Sequence, residues 1–188
     1  MTEVINAAAE LQQLCRAQRW EFCFIGGLAV QRWGVPRATI DVDLSLLTGF
    51  GREDHFIEVL LEHFEGRIEG TAQFARERRV LLLKSDKGVG LDIAFAALPF
   101  EERAVQRATL FEYPPGVFLQ TCSAEDLVIL KAFAGRGQDW VDVEGIIVRQ
   151  TGQLDWNYID AQLRPLAELK GQSEILTDLE VRRIKCSS

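Results

Sequence analysis

The sequence contains no run of about 18 consecutive apolar residues, the length that an α-helix needs to cross a bilayer, so we expect no membrane-spanning segment. Residues 1–6 lack the basic start and the apolar run of a signal peptide. The 4 cysteines are widely separated and form no C-x-x-C pair, which argues against a disulfide framework or a zinc site and favours reduced thiols. These absences predict a cytoplasmic protein that has no membrane partner.

Basic side chains are also scarce. The 21 Lys and Arg residues are outnumbered by 28 Asp and Glu residues, which gives a net charge of −7. Because phosphate neutralisation needs clustered cations, this balance argues against a broad nucleic-acid-binding surface. One segment is an exception, and we call it the basic cluster: Arg67, Arg76, Arg78, Arg79 and Lys84. We expect a polyanion, if one binds, to bind there first.

Local patterns in the first half predict alternating helices and strands. Helices are predicted over 3–18, 28–33 and 53–65, strands over 21–25 and 39–47, and a β-hairpin from 79–84 and 90–95. The strand over 21–25 ends at Gly26-Gly27, which indicates a tight turn. After the hairpin the chain becomes mostly helical, so the predicted fold class is α+β.

The second half shows clear helix boundaries. Ser123, with an acid three residues later, has the spacing of a capping box, and Gly135 and Gly137 are expected to end the helix that follows. Further helices are predicted near 139–150, 156–169 and 174–185. We therefore expect an α/β core over 1–120 and a helical C-terminal part over 121–188 that packs on this core.

The strand over 39–47 carries carboxylates on one side. Because side chains alternate along a strand, one face is predicted to hold Thr39, Asp41, Asp43 and Ser45, and the apolar core face Ile40, Val42, Leu44 and Leu46. Two carboxylates fixed this close repel each other unless a cation lies between them, and Mg²⁺ or Mn²⁺ prefers such oxygen ligands. The alternative is an ordinary D-x-D on the solvent side of an amphipathic strand.

Asp92 repeats this design on the second strand of the predicted hairpin. Leu91, Ile93 and Phe95 would face inward and leave Asp92 on the opposite face. If that strand lies beside the Asp41/Asp43 strand, three carboxylates converge, and such a triad can hold two metal ions for displacement at phosphorus.

The Gly26-Gly27 pair lies after a strand and before a helix. Glycines let backbone N–H groups approach phosphate oxygens, and a helix N-terminus favours negative charge, so the pair is typical of a phosphate-binding turn. A simple tight turn is the alternative.

Arg37 could bind triphosphate oxygens, orient Asp43 or pair with a neighbour. Lys131 and Arg136 lie at or just beyond the end of a predicted helix, where cations are favourable in any case.

These residues resemble a known family. The stretch F-I-G-G-L-A-V, followed by Gly34, Arg37, Thr39, Asp41, Asp43 and Leu44, is similar to the nucleotidyltransferase superfamily, in particular to the AbiEii-type abortive-infection toxins and their bacterial relatives. Asp92, in G-L-D-I, resembles the third acid of that pattern. The segment S-A-E-D-L-V-I-L-K-A-F-A-G-R-G-Q-D, which contains Lys131, Arg136 and Asp139, resembles a further family segment. The likeness covers residues 20–150.

The resemblance implies a nucleotidyltransferase-like mixed sheet flanked by helices and a two-metal reaction with Mg²⁺ or Mn²⁺. Asp41 and Asp43 would coordinate both ions, and Asp92 would bind one of them and help to activate an acceptor hydroxyl. That hydroxyl would attack the α-phosphorus of a nucleoside triphosphate such as ATP and release pyrophosphate. Gly26, Gly27, Arg37, Thr39, Lys131 and Arg136 would bind the nucleotide. Many active relatives carry serine where this chain has Gly27, so we expect weaker triphosphate binding.

The resulting hypothesis is a nucleotidyltransferase whose acceptor is an RNA 3′ end (for example of a tRNA), a protein hydroxyl or a small molecule. The alternative is a nucleotidyltransferase fold that binds a nucleotide or a partner without catalysis. A third possibility concerns the biological role: the likeness to abortive-infection toxins implies the toxin of a toxin–antitoxin pair, with a separate antitoxin protein as its partner.

Overall fold

The computed structural model describes residues 1–186, and the last two residues of the predicted C-terminal part, Ser187 and Ser188, lie outside this range. The helices are α1 (Thr2–Ala17), α2 (Gly26–Trp33), α3 (Glu53–His63), α4 (Thr71–Arg78), α5 (Pro99–Gln106), α6 (Ala124–Ala134), α7 (Gly137–Arg149), α8 (Trp156–Lys170) and α9 (Glu174–Cys186). The strands are β1 (Phe22–Phe24), β2 (Asp41–Leu47), β3 (Glu65–Gly66), β4 (Val80–Lys84), β5 (Gly90–Ala96), β6 (Thr109–Tyr113) and β7 (Val117–Thr121). No helix within residues 1–186 is long and apolar enough to span a membrane.

The chain divides into two compact units. The first combines Met1–Leu28 with Ala38–Cys122, and the second combines Ala29–Arg37 with the chain from Ser123 onwards. Residues 29–37 therefore group with the C-terminal helices.

The first unit is built on a seven-stranded mixed sheet of order β3-β4-β5-β2-β1-β7-β6. β2 is parallel to β5 and β1 is parallel to β7, while the other neighbours are antiparallel. The predicted hairpin is confirmed as β4 and β5, which pair antiparallel. The fold class is thus the predicted α+β arrangement.

The alternation of β2 and β5 sends their apolar side chains into one core. The buried residues of these strands include Val42, Leu44, Leu46, Leu91, Ile93 and Phe95. They pack in a cluster with the apolar face of α1, which contributes Ala8, Leu11 and Cys15. The prediction that Ile40 faces the core was wrong, because Ile40 is 81% exposed. β2 begins only at Asp41, so Ile40 lies outside the strand whose alternation would direct it inward.

The second hairpin, β6 and β7, was not predicted. The sequence analysis expected a mostly helical chain after β5 and named no strand there, but residues 109–121 form two antiparallel strands joined at Pro114-Pro115-Gly116. β6 is the outer strand of the sheet and most of its residues are exposed, so it lacks the alternation that would have indicated a strand. The short helix α4 was missed for a related reason, since it buries only Thr71 and Ala75.

The second unit is helical, as predicted for the C-terminal part. α6 begins with the expected cap, in which Ser123 Oγ accepts a hydrogen bond from Asp126 N at 3.1 Å, and ends at Gly135 in the left-handed conformation (φ 70°). Gly137 does not help to end α6 as expected, because it is the first residue of α7. Buried side chains from α6, α7 and α8, among them Leu127, Ile146 and Leu163, form the interior of this unit.

Candidate active site

The three acids of the sequence analysis lie on two adjacent strands. In the parallel pairing of β2 and β5, Asp43 is the direct partner of Asp92, and Asp41 is the partner of Gly90. Paired residues of neighbouring strands project from the same face, so the three carboxylates share one face of the sheet. The alternate residues Val42, Leu44, Leu91 and Ile93 are buried in the core on the other face. The structure therefore brings Asp41, Asp43 and Asp92 together.

The Gly26-Gly27 turn lies against Asp43. Ile25 N donates to Asp43 O at 3.0 Å, and Gly27 N points to Asp43 Oδ2 at 3.4 Å. Gly26 has φ +57°, and a Cβ added there would overlap the Asp43 carboxylate. Only glycine meets both requirements at low cost. The turn leads directly into α2, so its backbone N–H groups are those of a helix N-terminus.

Thr39 occupies the space beside the second glycine. A Cβ added at Gly27 would lie 2.5 Å from Thr39 Oγ1 and 3.1 Å from Thr39 Cβ. Thr39 is 6% exposed, and its Oγ1 has no hydrogen-bond partner among the residues that the structure describes. A serine at position 27 would collide with this threonine, so Gly27 and Thr39 fit each other. The sequence pattern could not reveal this match, because it depends on a contact between two separate segments.

Asp92 is paired with Arg67. Arg67 Nη2 donates to Asp92 Oδ1 at 2.6 Å, and both side chains are partly exposed (34% and 29%). Burial is the largest influence on Asp92 and raises the pKa of its carboxyl above the usual value; Arg67 opposes this rise and Asp41 adds to it. The sequence analysis did not anticipate this pair, and the predicted basic cluster was the only signal that concerned Arg67.

Most residues of the basic cluster form ion pairs with neighbouring acids. Arg76 Nε lies 2.7 Å from Asp54 Oδ1 and Lys84 Nζ lies 2.9 Å from Glu65 Oε1. Arg79 pairs with Glu53 and also donates to the backbone oxygens of Gly49 and Phe95. Arg78 is the exposed member without such a pair in the described range. The neighbouring acids therefore compensate part of the positive charge that a polyanion would meet there.

Three other predicted residues belong to an ionic network in the second unit. Lys131 Nζ lies 2.9 Å from Asp139 Oδ1 and 2.8 Å from Asp142 Oδ2. Arg37 binds Asp142 through two hydrogen bonds, of 2.9 Å from Nε and 3.0 Å from Nη2. Arg136 Nε donates to Asp139 Oδ2 at 2.7 Å. Asp139 Oδ2 also accepts a hydrogen bond from Arg136 N, so Asp139 caps the start of α7 while it pairs with Lys131 and Arg136.

The two aspartates of this network are well buried and ionised. Burial alone would raise their pKa values, but hydrogen bonds from Arg136 and Lys131 hold the pKa of Asp139 below its usual value. Hydrogen bonds from Arg37, Lys131 and Gln138 do the same for the pKa of Asp142. The sequence analysis missed Asp142; its spacing of three residues from Asp139 on one helix was the available signal.

The predicted site residues thus fall into two groups. Asp41, Asp43, Asp92, Gly26, Gly27 and Thr39 belong to the first unit, and Arg37, Lys131 and Arg136 belong to the second. As the side chains stand, no group of three or more His, Cys, Asp or Glu within residues 1–186 is arranged to hold a metal ion. Asp43 is turned towards Gly27, and Asp92 is bonded to Arg67. The donor set itself, three carboxylates on one face, fits a hard divalent cation.

Comparison with known proteins identifies the family. Residues 12–180 match the family model described as "Nucleotidyl transferase AbiEii toxin, Type IV TA system". The chain belongs to the AbiEii family. The family is one of nucleotidyltransferases, which confirms the resemblance and the predicted enzyme class. None of the curated proteins matches the sequence.

Three solved structures are similar to this AbiEii family member. An antigenic nucleotidyltransferase-like protein from Paracoccidioides brasiliensis is 15% identical, with a TM-score of 0.53, over 96% of this chain and 93% of its own. The structure of ANT(2")-Ia in complex with adenylyl-2"-tobramycin is 14% identical, with a TM-score of 0.48, over 98% of this chain and 99% of its own. The lincosamide antibiotic adenylyltransferase LnuA is 12% identical, with a TM-score of 0.48, over 73% and 92%. At 15% identity, the likeness to the Paracoccidioides brasiliensis protein shows the fold alone.

Proposed function

We propose that this AbiEii family member transfers a nucleotidyl group from a nucleoside triphosphate to a hydroxyl acceptor at the face formed by Asp41, Asp43 and Asp92. The observation that carries the proposal is the register of β2 and β5, which makes Asp43 and Asp92 direct neighbours on the face opposite the core. A purely structural sheet gains nothing from carboxylates at neighbouring positions, because they repel each other.

The carboxylates are the natural ligands of divalent cations. Two Mg²⁺ or Mn²⁺ ions would bind here. Asp41 and Asp43 would coordinate both ions, and Asp92 would coordinate one of them. When bound, the ions neutralise the charge that develops on the reacting phosphate. Asp92 would also accept a hydrogen bond from the acceptor hydroxyl and orient it for in-line attack. The bond from the acceptor oxygen to the α-phosphorus would form, the bond from that phosphorus to pyrophosphate would break, and the hydroxyl proton would pass to the Asp92 carboxylate and from there to water.

The glycine turn and Thr39 would bind the triphosphate. The left-handed Gly26 places the N–H groups of the α2 N-terminus beside the acids, and such groups favour phosphate oxygens. The buried Thr39 hydroxyl, which has no partner within residues 1–186, supplies a donor beside Gly27. We propose that this hydroxyl fulfils the role that a serine at position 27 has in many relatives.

The predicted cations of the second unit contribute in two ways. Arg136, whose side chain is 77% exposed, and Arg37, whose side chain is 35% exposed, remain candidates to bind phosphate oxygens. Lys131 is 9% exposed and held by two carboxylates. We therefore propose that Lys131 acts mainly by positioning Asp139 and Asp142, and that its contact with the nucleotide is secondary.

The acceptor would be an RNA 3′ end such as that of a tRNA, a protein hydroxyl or a small molecule. The net charge of −7 and the ion pairs of the basic cluster favour a short acceptor over a long nucleic acid, since little cationic surface remains for phosphates. Because the family is one of Type IV toxins, we propose a cytoplasmic toxin with a separate antitoxin.

A second candidate is a protein that binds nucleotide without transferring it. Two observations favour it: Arg67 is bonded to Asp92, and Gly27 offers no side-chain hydroxyl. The two candidates differ in turnover, because only the first moves label from the triphosphate to an acceptor.

A labelling assay tests the proposal. Each nucleoside triphosphate, labelled at the α-phosphate, is offered with Mg²⁺ or Mn²⁺ to total tRNA, cell protein and an aminoglycoside panel. We expect label in one pool, and its loss in Asp41→Asn and Asp43→Asn. Glu62→Gln removes an exposed acid of α3 and serves as the matched control that keeps activity. Transfer that survives both aspartate substitutions would overturn the proposal, and binding of triphosphate without transfer to any pool would support the second candidate.

Growth assays address the toxin role separately. Expression of the wild-type chain alone should arrest growth, and Asp43→Asn should be harmless. Harmless expression of an active wild-type enzyme would contradict the toxin role and leave the transferase proposal intact.

A further inference from the structure

Arg67 reaches the acids from the edge of the sheet. It follows the two-residue strand β3, and its backbone N donates to Leu82 O of β4 at 2.9 Å. Its side chain extends beyond β4 to β5, where Nη2 lies 2.6 Å from Asp92 Oδ1. The guanidinium of Arg67, which follows the edge strand β3, is thus bonded to Asp92 on β5.

Gly90 provides the space for this guanidinium. A Cβ added at Gly90 would overlap Arg67 Nη1 and would lie 3.6 Å from Asp41 Cβ. Gly90 is the strand partner of Asp41 and lies two residues before Asp92, so it belongs to the same face as the acids. The Arg67 guanidinium therefore lies beside Asp41 while it is bonded to Asp92, in the region where a cation shared by these two carboxylates would be expected.

The three neighbouring carboxylates need a compensating positive charge whether or not a metal ion is bound. Asp41, Asp43 and Asp92 lie at neighbouring positions, and Asp41 acts electrostatically on Asp92. Like charges this close destabilise a sheet unless a positive charge compensates. Arg67 supplies that charge from the chain itself. Because the pair with Asp92 is about one-third exposed, it is weak enough to be exchanged for a stronger ligand.

We propose that Arg67 is a built-in counter-cation that competes with a divalent metal ion for Asp92. This inference rests on the proposed function, since it takes Asp92 as a metal ligand. Arg67 holds the acids together while no metal is bound, and it leaves Asp92 when the ion binds. Arg67 is thus a positioning residue that sets the metal concentration at which the site becomes complete.

Calorimetric titration with Mn²⁺ alone, without nucleotide, tests the competition. Arg67→Gln removes the competing charge and keeps a polar side chain of similar length, so Mn²⁺ should bind roughly five-fold more tightly than to the wild type, the size expected for a partly exposed ion pair. Arg76→Gln removes the same charge from another ion pair of the basic cluster, with Asp54, and should bind as the wild type does. Tighter binding in Arg67→Gln but not in Arg76→Gln supports the competition.

Asp92→Asn shows whether the competition takes place at Asp92. In the Asp92→Asn background, Arg67→Gln should leave the remaining Mn²⁺ affinity unchanged, because the contested carboxylate is gone. An equal gain in both backgrounds would mean that Arg67 acts only through long-range repulsion, and the competition at Asp92 would be refuted.

Thermal unfolding gives an independent readout. In EDTA, Arg67→Gln should melt cooperatively but at a lower temperature than the wild type, since the three acids lose their counter-charge. Mn²⁺ should then raise its melting temperature by more than it raises that of the wild type. A melting temperature that responds equally to Mn²⁺ in both proteins would contradict the inference.

The outcomes separate this inference from the proposed function. If the wild type binds Mn²⁺, Asp41→Asn abolishes binding and Arg67→Gln binds no more tightly, the competition is refuted and the metal site stands. If neither the wild type nor any variant binds Mn²⁺, with or without nucleoside triphosphate, the metal-dependent function and the competition are both refuted.

Discussion

Asp43 and Asp92 are direct partners in the parallel pairing of β2 and β5, although 48 residues separate them in the sequence. Their apolar neighbours, Leu44 and Ile93, are paired in the same way on the core face. The hydrophobic core thus fixes the register of the two acids, because a slip of one residue would move every side chain to the other face. The geometry of the candidate site follows from core packing.

The first prediction concerns the glycine turn. Gly26→Ala would place a Cβ against the Asp43 carboxylate at a left-handed backbone position. We expect a loss of about 2 kcal/mol in the free energy of unfolding from backbone strain together with displacement of the carboxylate, and a large loss of transfer activity. Urea denaturation and the labelling assay measure the two effects.

Gly70→Ala is the matched control for this substitution. Gly70 has φ +67°, and an added Cβ there has no atom within 4 Å. The Gly70→Ala variant should therefore lose about 1 kcal/mol in the free energy of unfolding, through backbone strain alone, and keep full activity. Equal losses of activity in both variants would show that contact between the turn and Asp43 is unimportant.

The second prediction concerns the Thr39 hydroxyl. Thr39→Val removes a buried hydroxyl that has no partner in the described part of the chain, so the free energy of unfolding should stay the same or rise slightly. If the hydroxyl binds phosphate, KM for the nucleoside triphosphate should rise about ten-fold, which corresponds to the loss of one hydrogen bond to a charged group.

Thr71→Val provides the contrast. Its Oγ1 donates to Leu82 O at 2.8 Å, so this variant should lose about 1 kcal/mol of stability without a change in KM. An unchanged KM in Thr39→Val would remove Thr39 from the nucleotide site.

The sequence predicted the local design of the site better than its surroundings. The D-x-D strand and the hairpin with Asp92 follow from alternation, which acts over a few residues, and the structure shows both. The pairing of β2 with β5, by contrast, was only a condition in the sequence analysis, because no local pattern encodes which strands become neighbours.

The pairs that involve distant charges could not be predicted for the same reason. Arg67 with Asp92 and Arg37 with Asp142 join residues that are 25 and 105 positions apart. The exposed edge strand β6 was missed because it carries little hydrophobic alternation. The family resemblance identified Lys131 and Asp139 together, but only the folded structure shows that Asp142 completes their network.

The third prediction concerns the buried network of the second unit. Asp139→Asn leaves Lys131 with Asp142 as its remaining carboxylate, and the structure should lose roughly 3 kcal/mol in the free energy of unfolding at pH 7. Asp54→Asn, which breaks the exposed pair with Arg76, should cost less than about 1 kcal/mol. Equal losses in the two variants would contradict a special role for the buried network.

The same network predicts a dependence on pH. The pKa values of Asp139 and Asp142 are lower in the folded protein than in the unfolded chain, so their stabilising contribution is present above the unfolded value of about 3.9 and is lost as the pH falls through the folded values. The advantage of the wild type over Asp139→Asn should be constant near neutral pH and should shrink below about pH 4. Urea denaturation followed by circular dichroism across this range measures it, and an advantage that persists undiminished in acid would contradict the depressed pKa values.

The most direct test of the central claim is the rate of label transfer from an α-labelled nucleoside triphosphate by Asp43→Asn and Asp92→Asn, measured beside wild type and Glu62→Gln. If acids from β2 and β5 form one catalytic site, both aspartate variants should fold normally and lose at least about 100-fold in rate, while Glu62→Gln keeps the wild-type rate. A wild-type rate in Asp43→Asn or Asp92→Asn, with the fold intact, would show that the paired acids are not the site of transfer.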